Sequence, residues 1–335
     1  MKKKVAIIGC GAIFNRHAES ITNTKNFEIV AVCDVQKELA IDKSKKYNCE
    51  VFFNIDDCLE RSDANFYVLA TPNNLHYKHA KKCIDLKKDI LIEKPVTLNM
   101  KELKEIISLS KHKNINAYGV LQVRLNNSVA VVKKCLDKGL LGKIRGVNLI
   151  QRWQRPVEYF SGWRSIPHVG GGTLHEVGIH YIDILQYLIG RPNITAASGY
   201  NTKHMNVDIQ DTIYALINFE SFGGTIEVTI SAEPHNLECS ISILGSNGYI
   251  KLGGKALNII ESYNFLSHGA KKEFESIMNN HENVTYIPPN NYGSYLGSCP
   301  NHLGVYQNLE LFKIENTINS LKIIEDIYEK LGKKY

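Results

Sequence analysis

From Lys4 to Val120 the chain alternates between short β-branched runs and segments with helical periodicity. The first run is apolar on both faces, which is typical of a parallel strand covered by helices on either side. The six runs that predict strands are Lys4 to Gly9, Phe27 to Cys33, Glu50 to Phe53, Phe66 to Ala70, Asp89 to Ile92 and Ile115 to Val120. With helices between them, they predict an α/β fold with a doubly wound parallel sheet, in which ligands bind at the carboxyl ends of the strands.

A glycine-rich turn, Gly9 to Phe14, follows the first of these strands and opens a helix. The pattern is Gly-x-Gly-x-x-Phe, so a phenylalanine stands where the dinucleotide fingerprint has its third glycine. In that fingerprint the first two glycines form a tight turn and let the backbone approach a pyrophosphate at the helix N-terminus. We therefore expect a dinucleotide cofactor here, and its candidate contacts are Gly9, Gly11, Ala12 and Ile13.

Asp34 ends the second predicted strand, close to where the fingerprint places the carboxylate that binds the adenosine ribose. Its negative charge would repel a 2′-phosphate, which favours NAD over NADP, although Lys37 leaves some tolerance for NADP. The alternative is that Asp34 only caps the helix that follows it.

Lys94 follows the fifth predicted strand within the tripeptide Glu93-Lys94-Pro95, and the proline fixes the backbone directly after it. An ammonium group at this sheet edge can hydrogen-bond a substrate hydroxyl and stabilise the alkoxide that forms as a hydride leaves. We therefore expect Lys94 to contact both cofactor and substrate. Other polar residues that follow the strands are further candidate cofactor contacts: Thr71, Asn73, His76, Glu93 and Gln122.

A second glycine-rich stretch, Gly170 to Gly172, leads into an apolar-periodic segment that stops at Gly190-Arg191-Pro192. This pattern predicts a turn followed by one helix. Glu176 and His180 would share a face of that helix because they are four residues apart, and Asp183 continues the face. A carboxylate beside a histidine makes an acid–base pair that works near neutral pH. A buried helix that carries a hydrogen-bonded core histidine is the alternative.

The composition argues against several classes of protein. The 335 residues carry a net charge of +6 without a basic stripe of interleaved aromatics, so we expect no nucleic-acid partner. No run of 18 apolar residues occurs, so no membrane span is expected, and the eight cysteines lack C-x-x-C spacing, which favours a reducing, cytoplasmic location. His175 and His180 are five residues apart, a poor spacing for one zinc ion, and no metal site is expected.

Strand-like runs dominate the chain after Gly190, and several of them alternate apolar and polar residues. Such strands have one covered face and one free face, and a broad free face often forms a subunit interface. Before them, the loop from Arg155 to His168 holds Trp163 and Arg164, which suit a sugar or a phosphate. A loop that is merely packed by its aromatics is the alternative. The stretch from Gly269 to Ser298 is polar and is expected to be irregular.

Five features occur in the order and spacing of one family. The glycine turn, Asp34, Thr-Pro-Asn-x-x-His at Thr71, Glu-Lys-Pro at Glu93 and the glycine–histidine motif at Gly170 resemble the glucose–fructose oxidoreductase / inositol dehydrogenase / MocA family. The resemblance covers nearly the whole chain. It implies an N-terminal Rossmann domain and a C-terminal α/β domain with a large open mixed sheet, which we place at residues 1–122 and 123–335. It also implies a homodimer or a homotetramer.

The same resemblance assigns roles to residues of this chain. The family's catalytic lysine falls on Lys94 and its catalytic histidine on His180. The family's usual aspartate, four residues before that histidine, is replaced by Glu176, whose side chain is one methylene longer. The candidate substrate contacts are Lys94, Arg124, Trp163, Arg164, His180 and His302. For His302, an incidental histidine beside a helix-capping Asn301 is the alternative.

Two segments, Leu121 to Arg124 and Asn74 to Tyr77, resemble the branch of UDP-N-acetylglucosaminuronate 3-dehydrogenases. Those enzymes oxidise a sugar C3 hydroxyl with NAD in bacterial surface-polysaccharide pathways, which make O-antigen and lipopolysaccharide. The resemblance implies NAD as cofactor and a sugar or nucleotide sugar as substrate, most closely a UDP-N-acetylhexosaminuronate. Two alternatives stay open: an NAD(P)-dependent dehydrogenase of a free sugar or polyol, like an inositol dehydrogenase, and a non-catalytic sensor that binds NAD(H).

Overall fold

The computed structural model describes residues 2–282, 284–285 and 301–333. Contacts between residues divide the chain into two compact units. The first unit comprises Met1–Leu121, His168–Gly170 and His302–Leu321, and the second comprises Gln122–Pro167, Gly171–Asn301 and Lys322–Tyr335. The predicted boundary between residues 122 and 123 lies beside the first of these divisions, but the chain returns to the first unit at His168 and again at His302. A single boundary therefore does not describe the two units.

The first unit is built on a six-stranded parallel sheet, which confirms the doubly wound fold predicted from the sequence. Its strands are β1 (Lys3–Ile8), β2 (Phe27–Cys33), β3 (Glu50–Phe52), β4 (Phe66–Leu69), β5 (Asp89–Ile92) and β6 (Ala117–Gly119). They lie in the order β3-β2-β1-β4-β5-β6. Because β1 pairs with both β2 and β4, the strand order reverses beside β1, and this is where such sheets open a crevice for a ligand.

Helices connect the strands of the first unit. They are α1 (Phe14–Thr22), α2 (Lys37–Tyr47), α3 (Ile55–Arg61), α4 (His76–Asp85) and α5 (Met100–Lys113). The side chains of Asn54 and Asn99 accept backbone N–H groups of the first turns of α3 and α5, so both helices begin at capping residues. All four residues of β4 are buried, as expected for a parallel strand with helices on both faces.

The second unit is built on a seven-stranded mixed sheet, as the resemblance implied. Its strands are β7 (Ile144–Arg152), β8 (Asn193–Tyr200), β9 (Thr212–Asn218), β10 (Gly223–Thr229), β11 (Glu238–Gly245), β12 (Gly248–Gly253) and β13 (Ile259–Phe265). They lie in the order β13-β12-β11-β7-β10-β9-β8. Strands β7 and β10 are parallel, and the other neighbouring pairs are antiparallel.

The two faces of this sheet differ in exposure. In β9, Ile213, Ala215 and Ile217 are buried, whereas Tyr214 and Leu216 between them are 44% and 55% exposed. This alternation is the pattern of a strand with one covered face. The buried face packs into one apolar core together with the helices of this unit. The homo-oligomer predicted from the free face stays a prediction.

The remaining helices are α6 (Asn127–Asp137), α7 (Pro167–Gly170), α8 (Ile179–Ile189), α9 (His268–Asn279), α10 (His302–Gln307) and α11 (Ile318–Lys330). No helix within the described ranges is both long and apolar enough to cross a membrane. The cysteines within those ranges are free thiols, and all except Cys49 are buried.

Helix α9 corrects the prediction that the stretch from Gly269 to Ser298 is irregular. The side chain of Ser267 caps this helix. Three buried apolar side chains at helical spacing hold it to the core: Phe274, Ile277 and Met278. The prediction missed this helix because the stretch is mostly polar and its apolar stripe is short. Residues 283 and 286–298 of the stretch lie outside the described residues.

Candidate active site

The glycine turn lies at the carboxyl end of β1, where the strand order reverses. Gly9 has a φ of +104°, and a Cβ atom there would lie 2.4 Å from the carbonyl oxygen of Ala70. Glycine is required at this position because both the backbone conformation and the close approach exclude a side chain. A Cβ atom at Gly11 would meet nothing within 4 Å, so the space beside this backbone is open. An open backbone at a helix N-terminus fits a dinucleotide pyrophosphate, and Ala12 and Ile13 continue the same turn.

Asp34 holds this turn from the end of β2. Its Oδ2 atom accepts the N–H of Cys10 at 2.7 Å, and its Oδ1 atom accepts the N–H of Gln36 at 2.8 Å. Gln36 occupies the N-cap position of helix α2, without a side-chain capping hydrogen bond, so Asp34 does not occupy the capping position that the alternative interpretation requires. The ammonium group of Lys37 lies over the ring of Phe53, 5.5 Å from its centroid. A ribose contact by Asp34 stays a prediction.

Three further candidate cofactor contacts are held by neighbours within the first unit. Asn73 is buried and donates its Nδ2–H to the carbonyl oxygen of Gly170 at 2.8 Å. His76 is fully buried, with Nδ1 2.8 Å from the carbonyl oxygen of Pro95 and Nε2 2.9 Å from that of Thr71. His76 therefore ties the loop after β4 to the loop after β5. This structural role was not predicted from the sequence.

Lys94 is half-buried and lies two residues after the end of β5. It donates its backbone N–H to Oε2 of Glu93 at 3.0 Å. The Oε1 atom of Glu93 lies 2.9 Å from Nε2 of His17 and 3.2 Å from Nε2 of His302. Glu93, expected to face the cofactor, and His302, expected to face the substrate, are both buried and contact each other. Their contacts with cofactor and substrate stay predictions.

His17 and Tyr306 belong to the same group, and sequence reasoning missed both of them. The hydroxyl of Tyr306 lies 2.8 Å from Nδ1 of His17. One sequence pattern could have identified His17: in α1 it shares the buried side of the helix with Phe14, Ala18 and Ile21. A histidine on an apolar helix face requires a buried hydrogen-bond partner.

The segment around His180 is not one regular helix. A π-helical turn, Leu174–Gly178, precedes α8, which ends at Gly190 as predicted. The spacing of four residues between Glu176 and His180 therefore does not by itself place them on one face. Turns of this kind occur frequently at functional sites. His180 lies in the first turn of α8 and is half-buried.

Glu176 is buried and is held by the loop that precedes it. Its Oε2 atom accepts the Nε–H of Arg164 at 3.1 Å and the hydroxyl of Tyr159 at 3.2 Å. The guanidinium of Arg164 also stacks on the ring of Trp163, 4.3 Å from its centroid. Burial and the charge of Glu176 raise the pKa of Tyr159, which keeps its proton and donates it. The loop is thus packed by its aromatics, while the pairing of Glu176 with His180 stays a prediction.

Asp183 is buried and pairs with Arg124, so it does not continue an acid–base face. The Nε and Nη2 atoms of Arg124 donate to Oδ2 and Oδ1 of Asp183, each at 2.7 Å. Gln186 adds a third hydrogen bond to Oδ1 at 3.1 Å. Two-pronged pairs of this kind are the strong form of the ion pair. They use two N–H donors of Arg124, and a substrate contact by this residue stays a prediction.

Gln122 opens the short turn Gln122–Leu125 after β6. Its backbone carbonyl accepts a hydrogen bond from Asn301 at 3.3 Å. Its side-chain Oε1 atom is buried and has no hydrogen-bond partner among the described residues. Bound ligands and waters often satisfy such an acceptor, and a cofactor contact by Gln122 stays a prediction.

Two family profiles match consecutive parts of this chain. Residues 3–120 match the oxidoreductase family with an NAD-binding Rossmann fold, and residues 129–251 match the GFO/IDH/MocA C-terminal domain. The chain belongs to the Gfo/Idh/MocA family. This membership establishes the fold of both units, NAD as the cofactor and an oxidoreductase activity.

Several similar Gfo/Idh/MocA proteins match over almost their full length. The WlbA dehydrogenase of Bordetella pertussis, crystallised with NADH and UDP-GlcNAcA, is 26% identical with a TM-score of 0.88, and the match covers 98% of this chain and 95% of that one. WlbA of Chromobacterium violaceum, in complex with the same two ligands, is 24% identical with a TM-score of 0.87 over 99% and 95% of the chains. Glucose-6-phosphate 3-dehydrogenase of Bacillus subtilis (strain 168) is 25% identical over 98% of this chain and 96% of its own.

Proposed function

We propose that the chain is a sugar dehydrogenase that oxidises the C3 hydroxyl of a UDP-N-acetylhexosaminuronate with NAD. The observation that carries this proposal is the likeness to the Bordetella pertussis enzyme with bound NADH and UDP-GlcNAcA, which spans 98% of the chain. The segments Leu121 to Arg124 and Asn74 to Tyr77 support the same branch of the family. Such a product serves the assembly of bacterial surface polysaccharides.

In this proposal NAD, when bound, supplies the carbon that accepts the hydride. Lys94 hydrogen-bonds the reacting hydroxyl and stabilises the negative charge that develops on its oxygen. His180 accepts the hydroxyl proton as general base. Glu176, held by Arg164 and Tyr159, keeps a fixed negative charge near the start of α8 and favours the protonated imidazole.

A second candidate function is oxidation of a sugar that carries no nucleotide. The Bacillus subtilis relative is named for glucose 6-phosphate, and its match covers the chain as fully as that of the WlbA enzymes. A non-catalytic NAD(H) sensor is the third possibility, and it predicts NADH binding without turnover of any sugar. Lys94 and His180, both half-buried, favour an enzyme over a sensor.

The test measures NAD reduction with four substrates: UDP-N-acetylglucosaminuronate, UDP-N-acetylglucosamine, glucose 6-phosphate and myo-inositol. We expect the first to have the highest kcat/KM. Lys94→Ala and His180→Ala should each lower kcat about 10²-fold while NADH still binds. Lys101→Ala and His235→Ala, at exposed positions, are the matched controls and should retain kcat. A preference for glucose 6-phosphate would refute the nucleotide-sugar proposal.

We also propose a homodimer or homotetramer that associates through the free face of the seven-stranded sheet. Large apolar side chains are exposed on strands of that sheet, among them Tyr200, Tyr214, Leu216, Leu244 and Tyr249. Exposed apolar patches of this kind commonly mark interaction surfaces. Leu216→Lys should reduce the molar mass measured by light scattering, and an unchanged mass would exclude this face.

A further inference from the structure

Two buried histidines of the first unit contact one buried carboxylate, and a buried tyrosine hydroxyl contacts one of these histidines. The Oε1 atom of Glu93 lies 2.9 Å from Nε2 of His17 and 3.2 Å from Nε2 of His302, while Oε2 accepts the backbone N–H of Lys94 at 3.0 Å. Nδ1 of His17 lies 2.8 Å from the hydroxyl of Tyr306. None of the four is more than 6% exposed. We name His17, Glu93, His302 and Tyr306 the Glu93 cluster.

The proton positions in the Glu93 cluster follow from the chemistry of its groups. Burial opposes the ionisation of Glu93, but the hydrogen bonds from His17 and His302 outweigh it and hold the pKa of Glu93 well below its usual range. An ionised carboxylate only accepts hydrogen bonds, so both Nε2 atoms carry a proton. Burial lowers the pKa of His17, so its ring is neutral and its Nδ1 atom accepts the hydroxyl proton of Tyr306.

A metal ion is the other occupant that these donors could accept. One atom each of His17, Glu93 and His302 lies within 4.8 Å of the others. The Nε2 atoms of His17 and His302, however, both lie at hydrogen-bond distance from the same oxygen of Glu93. Metal ligation through these two atoms would require both of them to lose their protons. Hydrogen bonds therefore account for the short distances within the Glu93 cluster without a bound metal ion. The metal content of the protein is measured in the test below.

We propose that the Glu93 cluster is a positioning network that fixes the backbone of Lys94 to helices α1 and α10. This proposal rests on the function proposed for Lys94. Three segments meet at the carboxylate: α1 through His17, the residue after β5 through Glu93 itself, and α10 through His302, while Tyr306 of α10 contacts His17. A displacement of the carboxylate moves the peptide that carries the lysine. Misplacement of a reacting group by about 1 Å can lower a rate by about 10²-fold.

The first experiment compares two substitutions of one histidine in the full-length protein. His302→Gln keeps an N–H donor near Glu93, whereas His302→Leu removes it. We expect His302→Leu to lower kcat about tenfold, with the KM of the sugar nucleotide and the Kd of NADH changed by less than about twofold. His302→Gln should recover most of kcat, which a merely structural role would not explain. Retention of wild-type kcat by His302→Leu would overturn the proposal.

The matched control for this comparison is His204→Leu in the second unit. His204 is buried and contacts the carboxylate of Asp211 at 3.3 Å, so its loss removes the same kind of hydrogen bond outside the Glu93 cluster. We expect this control to lower the melting temperature and to retain kcat. If His302→Leu does not fold, Tyr306→Phe replaces it in the same assays, because it removes one hydroxyl and keeps the ring. An equal loss of kcat in the control would overturn the specific role of the cluster.

A second experiment needs no substrate. Reductive methylation with isotope-labelled formaldehyde gives each lysine an NMR signal, and Lys94→Arg assigns that of Lys94. We expect Glu93→Gln to change the chemical shift of the methylated Lys94 signal, because the peptide that carries the lysine moves, and His204→Leu to leave that signal unchanged. If the wild type oxidises no sugar, the proposed function is wrong. The NMR measurement still tests whether the Glu93 cluster positions Lys94. An unchanged signal in Glu93→Gln, or one zinc ion per chain that is lost in His302→Leu, would overturn it.

Discussion

Arg164 donates its Nε–H to Glu176, with 3.1 Å between nitrogen and carboxylate oxygen. The side chain of Glu176 is 4% exposed and that of Arg164 is 36% exposed, so the cation covers a buried anion from the solvent side. Tyr159 donates to the same oxygen at 3.2 Å. A buried carboxylate requires such partners, because an unpaired buried charge is strongly destabilising. The longer glutamate, in place of the family's usual aspartate, is thus held by residues of the loop that precedes it.

Glu176→Asp tests whether catalysis depends on the length of the Glu176 side chain. The substitution keeps the charge but withdraws the carboxylate by one methylene from Arg164 and Tyr159. We expect kcat to fall about tenfold or more, since a displaced carboxylate no longer holds its charge at the start of α8. Steady-state oxidation of UDP-N-acetylglucosaminuronate measures the effect, and Glu158→Asp, at an exposed position of the same loop, is the control. Wild-type kcat in Glu176→Asp would show that the length of this side chain has no catalytic consequence.

Residues at strand ends could be predicted from local patterns. Gly9, Asp34 and Lys94 each come after an apolar run, and the structure places Gly9 and Asp34 directly after β1 and β2 and Lys94 two residues after β5. In a doubly wound sheet these ends share one edge, so the order of strands and helices suffices to bring such residues to the ligand-binding side. The parallel sheet of the first unit could be predicted for the same reason.

Side-chain pairing could not be predicted, because it depends on tertiary packing. Arg124 and Asp183 are 59 residues apart, and His17 and Glu93 are 76 residues apart. A polar residue on an apolar face signals that it needs a partner, but no local pattern identifies that partner. The π-helical turn before His180 has a similar origin. A Cβ atom at Gly178 would lie 3.3 Å from Leu174 and 3.5 Å from Val228, so this segment packs closely against β10.

Gly9 and Gly11 separate the folding requirement of the glycine turn from its binding role. Gly9→Ala places a Cβ atom 2.4 Å from a carbonyl oxygen at a φ of +104°, so we expect the free energy of unfolding to fall by more than about 1 kcal/mol. Gly11→Ala meets nothing within 4 Å, and we expect normal stability but about tenfold weaker NADH binding, because the methyl group enters the open space beside the turn. Urea unfolding and NADH fluorescence titration measure the two effects. Normal NADH affinity in Gly11→Ala would place the pyrophosphate elsewhere.

The ion pair of Arg124 and Asp183 should contribute strongly to the free energy of unfolding. Their side chains are 10% and 2% exposed, so Arg124→Met leaves a buried carboxylate without its cation. We expect this single substitution to lower the free energy of unfolding by about 3–5 kcal/mol, and the double variant Arg124→Met/Asp183→Leu to recover part of the loss. Lys133→Met, which breaks an exposed ion pair with Asp137 in α6, should cost less than about 1 kcal/mol. Urea unfolding measures all three, and equal losses for the buried and exposed pairs would contradict this assignment.

His79 should make the stability of the protein depend on pH. Burial, followed by the nearby charges of His76, Lys82 and Lys78, lowers the pKa of His79 from 6.5 to about 4 in the folded state. Between these values the unfolded chain binds a proton that the folded chain does not, so the free energy of unfolding falls as the pH decreases from 6.5 towards 4.

His79→Asn removes this titration while placing an amide near the Nδ1 position, which lies 3.3 Å from the hydroxyl of Thr71. We therefore expect the variant to lose less stability than the wild type between about pH 7.5 and about pH 4.5, measured by urea midpoints at constant ionic strength. His112→Asn, at an exposed position in α5, is the control and should follow the wild type. Parallel pH profiles for His79→Asn and the wild type would mean that His79 protonates equally in both states, and burial would then not hold this imidazole neutral.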